Sequence, residues 1–331
     1  MVEAQTMIPL RKLGNSTTEI SALGLGCWQF SKDKGLVGSF WAAMKQEDIN
    51  EIVRLSLEGG INWFDTAEVY GKGESEKALS EALDLIGPVA EAAFIATKWW
   101  PFLRTAKSIT KTIDTRIDAL NGKQIELYQI HQPFSFSSVN DEMKAMVELL
   151  KNNKIKHAGV SNFNAEKMRQ AHEVLKAEGY GLASNQVKYN LLDRRIENNG
   201  VLAAAKELGI TIIAYSPLEQ GILSGKFHSN PELIKNIKGP RKNGKFFKPA
   251  GIEKTQPLID VLAAKSTKYG VSQTQIALNW LIHFHGDTVV AIPGATKLHH
   301  AQENIGTLQF RLSQDDMDEI DAVSKKVARF Q

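Results

Sequence analysis

A chain of 331 residues, 43% of them apolar, can bury one large core or two modest ones. Its 40 Lys/Arg against 37 Asp/Glu leave a formal net charge of +3, so composition exerts no pull toward nucleic acid or a membrane surface. The single cysteine, Cys27, rules out an intramolecular disulfide and fits a reducing, cytoplasmic compartment.

Taken from the N-terminus, MVEAQTMIPLRKLG has no long apolar stretch behind a basic head, so no signal peptide is expected. No apolar run approaches the ~18 residues of a membrane-spanning helix. Residues 8–20 read as a short hairpin turning at Gly14–Asn15, suited to covering one end of a barrel. Strand-like apolar runs follow at 22–27, 62–65, 94–98, 126–131, 157–161, 184–189, 211–215 and 288–293. Between them the periodicity predicts helices over 46–58, 76–85, 106–120, 141–151, 165–178 and 199–208. The stretch DEMKAMVELLK shows the pattern, with apolar residues at helical spacing, acids first and a lysine last. Gly209, closing KELG, supplies a helix stop. A connection at 219–256, rich in Gly, Lys and Pro, is long enough to be functional or disordered. The tail 313–327 opens with Ser-Gln-Asp-Asp, the signature of a capped helix packed outside the repeat.

Eight strands alternating with helices predict one α/β domain over 1–331, a (β/α)8 TIM barrel with an N-terminal β-hairpin and an extra C-terminal helix. A doubly wound open sheet would carry a G-x-G-x-x-G turn after its first strand. LGLGCWQF offers Gly24 and Gly26 without the third glycine.

Four polar groups stand at or just past the ends of three successive runs: Asp65 and Tyr70 in NWFDTAEVYG, Lys98 in AAFIATKWW and His131 in IELYQIHQP. The steps from Asp65 to Lys98 and from Lys98 to His131 are both 33 residues, about one strand–helix unit, which sets the groups side by side on one rim. Together they make a proton-transfer site. Tyr70 would protonate a carbonyl oxygen as hydride reaches the carbon, with Lys98 lowering the phenol's pKa. Asp65 would orient Lys98, and His131 would hydrogen-bond the oxygen. Singly each has a plainer reading (a structural ion pair, a turn aromatic, a core histidine), but packing alone does not gather all of them at consecutive strand ends.

These motifs, followed in order by KIKHAGVSNF, NQVKYNLLDR, IIAYSPLEQGILSGK and VVAIPGATKLHHAQENIG, resemble the aldo-keto reductase superfamily over nearly the whole chain. The match is best with its bacterial-like and potassium-channel-β-like branches. The resemblance implies a (β/α)8 barrel, carbonyl reduction with a nicotinamide cofactor, and catalytic roles for Asp65, Tyr70, Lys98 and His131. It also implies an extended NAD(P)(H) across the C-terminal rim, touching Gly26, Cys27, Trp28 and Asp65. Ser161, Asn162 and Gln186 would hold the nicotinamide carboxamide, and Tyr215 would stack on the ring. Ser216, Pro217, Leu218, Gln220, Gly221, Ser224, Gly225 and Lys226 would cradle the pyrophosphate. Gly294, Thr296, Lys297, His300, Glu303 and Asn304 would meet the adenosine ribose, its 2′-phosphate and the adenine. Lys297 at a helix start makes NADPH the expected cofactor, with NADH a weaker alternative. Many members carry arginine where this chain has His300 and lysine where it has Gly294. A neutral imidazole cannot fork onto a phosphate as arginine does.

Trp28, Tyr70, Trp99 and His131 are expected to line the substrate pocket, with Trp41 and Trp100 on the same rim and some of the tryptophans serving only packing. The connection 30–44 would overhang the opening. KNIKGPRKNGKFFK reads first as a solvated loop and second as a flap over the cofactor phosphates, not as a nucleic-acid site. No metal is expected. The expected activity is NADPH-dependent reduction of aldehydes, and some ketones, to alcohols, with a small-molecule carbonyl as partner and the oligomeric state left open, a monomer included. The alternative is an NADP(H)-binding regulatory or sensor protein of the same fold with little turnover. The pocket-forming loops do not name the substrate.

Overall fold

The computed structural model describes residues 8, 10–32, 34–35, 40–237 and 239–328. The first seven residues, read above for a leader, lie outside the described residues, as do Pro9, Lys238 and part of the connection 30–44.

Strands β1 (Leu10–Lys12) and β2 (Glu19–Ser21) pair antiparallel with Leu10 opposite Ser21, giving the expected hairpin, and Gly14 turns it with φ +58°. The remaining strands run parallel in chain order. They are β3 (Leu25–Gly26), β4 (Trp63–Asp65), β5 (Phe94–Trp99), β6 (Ile125–Ile130), β7 (Ile155–Ser161), β8 (Leu182–Lys188), β9 (Thr211–Tyr215) and β10 (Val289–Ala291). First and last strands meet through parallel bridges at Leu23–Ala291 and Gly26–Gly294. Gly24 donates its N–H to Ala291 at 2.8 Å and Gly26 to Pro293 at 3.0 Å. The sheet is a closed (β/α)8 barrel.

Alternation along the strands divides the side chains between two cores. Trp63, Phe94, Ala96, Leu127, Ile213 and Val290 point inward and meet Leu13 and Ile20 of the hairpin. The hairpin therefore seals the end where the strands begin. Trp63 fills this floor, its indole N–H donating to the Ser21 carbonyl at 2.9 Å. Gly24 makes room for it, since a Cβ there would sit 2.3 Å from the Trp63 ring. Arg11 of β1 is buried and donates to the carbonyls of Val289 and Ile282, fastening the floor to the last strand. What stays open is the C-terminal rim.

Outward-facing residues such as Phe64, Ile95, Trp99, Tyr128 and Val160 pack under a ring of amphipathic helices. Val139–Lys151 is typical. Ser138 caps it by accepting from the Asp141 N–H at 3.1 Å, acids occupy the first turn, and Met143, Met146 and Leu150 face the sheet. The C-terminal helix Gln314–Val327 is capped by Ser313 and packs on the helix Pro249–Tyr269, where Lys265 reaches Asp316 at 2.7 Å and the Tyr269 hydroxyl donates to it at 2.6 Å.

The structure departs from expectation between the last two barrel strands. The connection is a run of 3₁₀ turns and a short helix, Lys226–Ser229, and it gives way to the helix Pro249–Tyr269 before Gln256. Proline suits a first helical turn, which explains Pro249; Pro257 lies inside this helix at the cost of one intrahelical bond. The helix Gln273–His283 also went unmarked. It is buried nearly all round, through Ile276, Leu278, Trp280 and Ile282, so it carries no amphipathic stripe.

Candidate active site

Inward-pointing polar side chains sit one layer above the floor. Asp65 follows Trp63 on the inner face of β4, Lys98 follows Ala96 on β5, and Gln129 follows Leu127 on β6. They converge on the barrel axis. Lys98 Nζ lies 2.5 Å from Asp65 Oδ1 and donates to the Thr66 carbonyl at 2.8 Å, with both side chains essentially without solvent exposure. Asp65 Oδ2 accepts from Gln186 at 2.9 Å and from Gln129 at 3.2 Å. A buried ion pair persists only when its remaining lone pairs and protons are satisfied, and here both oxygens are bonded. Sequence reasoning missed Gln129; the signal was its place on the Leu127 face of a strand that ends at His131.

Tyr70 rises from the turn after β4. That turn is made possible by left-handed backbone at Gly71, Lys72 and Gly73. The Lys98 ammonium lies 5.1 Å from the Tyr70 ring centroid. Trp28 stacks on the ring at 5.9 Å and His131 meets it edge-on at 5.7 Å. Burial, with the Asp65 carboxylate and Cys27 adding to it, pushes the Tyr70 phenol well above its usual range. This corrects the expectation that Lys98 lowers it. The ammonium is matched by Asp65, so the pair presents little net positive charge to the phenol.

His131 is buried, and burial together with Lys98 pushes its pKa well below the usual histidine range, leaving a neutral ring. Its Nδ1 has no hydrogen-bond partner among the described residues. Trp100 meets the ring edge-on at 5.2 Å.

Trp99 is the second correction. It lies on the outward parity of β5, fully buried under the helices, with its indole N–H on Ser108 at 3.0 Å. The neighbouring Trp100 lines the cleft in its place.

The cleft has a volume of about 1170 Å³ and runs from Trp28, Trp41, Tyr70, Trp100 and His131 to Gly294, Thr296, Lys297, His300, Glu303 and Asn304. Along its wall Ser161, Asn162, Gln186 and Tyr215 form one network. Ser161 donates to the Gln186 carbonyl at 2.8 Å, Asn162 Nδ2 to Ser161 at 3.1 Å, and the Tyr215 hydroxyl to Asn162 Oδ1 at 3.0 Å. The following turn is strained, with Ser216, Glu219 and Gln220 at φ +51°, +46° and +57°. Lys188 and Asn190 hold it by donating to Glu219 at 2.7 and 2.9 Å.

Ser216, Pro217, Leu218, Gln220, Gly221, Ser224 and Lys226 line the cleft from this side. Gly225 does not. It sits behind the wall at φ +76°, where a Cβ would strike the Gln273 side chain at 2.1 Å. Gly26, Cys27 and Trp28 border the cleft, but the Cys27 side chain turns into the core, its thiol donating to the Leu25 carbonyl at 3.4 Å.

Several features of the far end fit an extended anionic ligand. The helix Leu298–Thr307 starts at Lys297 with no side-chain cap, leaving first-turn N–H groups open to an anion. Lys226 and Lys297 both line this end. Burial, helped by His299, Lys226 and Lys297, lowers His300 to about 4. Its Nδ1 accepts from the Thr296 N–H at 3.3 Å. Gln273 Oε1, Asn304 Nδ2 and Gln29 Oε1 are buried beside the cleft without a hydrogen-bond partner among the described residues. Gln273 and Gln29 were not foreseen. At Gly294 a Cβ would meet the Gln29 amide at 2.3 Å, so a larger residue here would have to displace that side chain.

The family model described as "Aldo/keto reductase family" matches residues 22–325. An uncharacterized oxidoreductase of Mycobacterium bovis is 34% identical, covering 91% of this chain and 88% of the relative. The chloroplastic pyridoxal reductase of Arabidopsis thaliana is 29% identical, covering 96% and 87%. Among solved structures, the glycerol dehydrogenase of Gluconobacter oxydans superposes with a TM-score of 0.82 at 26% identity, covering 95% of this chain and 94% of that one.

Proposed function

This chain belongs to the Aldo/keto reductase family and is an NAD(P)H-dependent oxidoreductase of carbonyl compounds, and on that premise we propose that it reduces aldehydes, with some ketones, to alcohols using NADPH. The observation that carries the reading is the buried Lys98–Asp65 pair beside the Tyr70 ring at the closed end of the cleft. NADPH bound along the rim would supply the hydride. The neutral His131 donates to the carbonyl oxygen and fixes its approach between Trp28 and Trp100. Tyr70 gives its phenolic proton to the same oxygen. A raised pKa keeps that proton in place at neutral pH, and the transfer remains downhill because an alkoxide is a far stronger base than a phenolate. Lys98 stabilises the phenolate left behind. Asp65 keeps the ammonium aimed, itself held by Gln129 and Gln186.

Gln186 directs its side-chain N–H at Asp65, so its side-chain Oε1 would accept from the carboxamide of the nicotinamide. Ser161, Asn162 and Tyr215 would complete that contact, the strained turn with Lys226 would take the pyrophosphate, and Lys297 with the open helix start would take the 2′-phosphate. An aldehyde substrate accords with the name of the pyridoxal reductase relative. The same proposal takes the chain as one catalytic domain acting in the cytoplasm; no helix among the described residues is long and apolar enough to cross a membrane.

The test is oxidation of NADPH and NADH with 4-nitrobenzaldehyde, methylglyoxal and pyridoxal, wild type beside Tyr70→Phe. The variant should lose at least about 100-fold in kcat and bind NADPH unchanged. Undiminished turnover would remove Tyr70 as the acid. Tight NADPH binding without turnover by the wild type would sink the reductase reading and favour a sensor.

A further inference from the structure

Glu68 lies between Asp65 and Tyr70 in DTAEVYG, yet none of the chemistry above uses it. Its backbone N–H donates to the Lys98 carbonyl at 3.3 Å, and its Oε1 accepts the Trp100 N–H at 3.1 Å. One residue thus brackets Trp99, fastening the turn that carries Tyr70 to the strand end that carries Lys98. The carboxylate is largely buried and doubly backed by arginine. Arg104 pairs with Oε1, and Arg116 Nε stands 3.9 Å from Oε2. Arg116 is held in turn by Glu76 at 2.6 Å, and Glu76 by the Thr97 hydroxyl at 2.6 Å. Arg104 also donates to the Trp100 carbonyl at 3.1 Å, and its own carbonyl accepts the Phe136 N–H at 2.9 Å. Both peptide groups of Trp100 are therefore pinned, with the indole edge-on to His131.

We propose that Glu68 is a positioning residue that sets Trp100 against His131 and so determines how strongly the enzyme favours aromatic over small aldehydes. This rests on the reductase reading above. A small aldehyde needs only the oxygen-binding groups. An aromatic one needs the wall at a fixed distance from them, so a displaced Trp100 penalises the aromatic substrate selectively.

The experiment compares kcat/KM for 4-nitrobenzaldehyde and methylglyoxal in wild type, Glu68→Leu and Glu68→Gln, with NADPH affinity measured alongside. Leucine removes the acceptor for the Trp100 N–H, while glutamine keeps an acceptor oxygen and loses only the charge. In the leucine variant the aromatic-to-small ratio should fall about tenfold with NADPH affinity held, and glutamine should restore most of the ratio. An unchanged ratio in the leucine variant, or a loss of NADPH affinity in step with turnover, overturns the inference and leaves Glu68 a scaffold residue. Should Glu68→Leu not fold, Arg104→Met at the rim decides instead. Its ratio should fall about threefold with NADPH affinity held, and an unchanged ratio overturns the inference. Turnover of neither aldehyde by the wild type overturns the reductase reading and takes this inference with it.

Discussion

At the scale of single residues, the site separates two ionisable groups by environment. Tyr70 is pushed up by burial and the Asp65 carboxylate, and His131 is pushed down by burial and Lys98, so both are neutral across the middle of the pH range. An acid with a raised pKa keeps its proton until the pH climbs past that value, and a base with a lowered pKa stays neutral until the pH falls below it. The kcat for aldehyde reduction should therefore be flat through neutrality. Its alkaline loss should lie above the ordinary phenol value of ~10, and any acid limb below the ordinary histidine value of ~6.5. A limb centred near ~6.5 in a kcat–pH profile would show that His131 is not held neutral as described. The candidate catalytic residues were legible because each stands at or just past a strand end, where residue type and spacing show without a structure. Trp99 and Trp100 were not told apart, because adjacent strand residues face opposite ways and a slip of one exchanges wall for core.

At the scale of elements, the strands and amphipathic helices showed through their periods, and the exceptions have physical causes. The helix Gln273–His283 is buried nearly all round and shows no stripe, while the first turns of the helix Pro249–Tyr269 fell within the Gly-, Lys- and Pro-rich stretch read as a connection and Pro257 interrupts its middle. The inward polar layer hid for a similar reason, since Gln129 sits among apolar neighbours and gains meaning only opposite Asp65. A tight fit between elements lies at the floor, where the chain entering β3 passes over the Trp63 indole. Gly24→Ala should destabilise the fold by about 1–3 kcal/mol, because the added methyl has only ring atoms to displace. Urea denaturation measures this. A midpoint equal to that of wild type would mean that Trp63 can shift without penalty.

At the scale of the whole molecule, one ligand is proposed to span segments that meet only at the rim, from the wall of β7 to β9 to the helix after β10. Binding of this kind stabilises the folded chain by mass action. NADPH at about a hundredfold above its Kd should raise the thermal midpoint by about 5 °C, and NADH at the same concentration by less. Lys297→Ala should remove that difference, whereas equal losses for both cofactors would mean that Lys297 does not read the 2′-phosphate. The barrel's seam allows one further use. Cys27 is the only thiol in the chain, fully buried one residue past the point where first and last strands join, and burial raises its pKa well above the ordinary thiol range. Such a thiol reacts only when the barrel parts around it, which makes it a built-in clock for opening of the closure itself. Its rate of modification by a disulfide reagent in the native protein should be slow and slower still with NADPH bound across Gly26 and Gly294. Rapid labelling indifferent to cofactor would mean that the seam breathes independently of the rim above it.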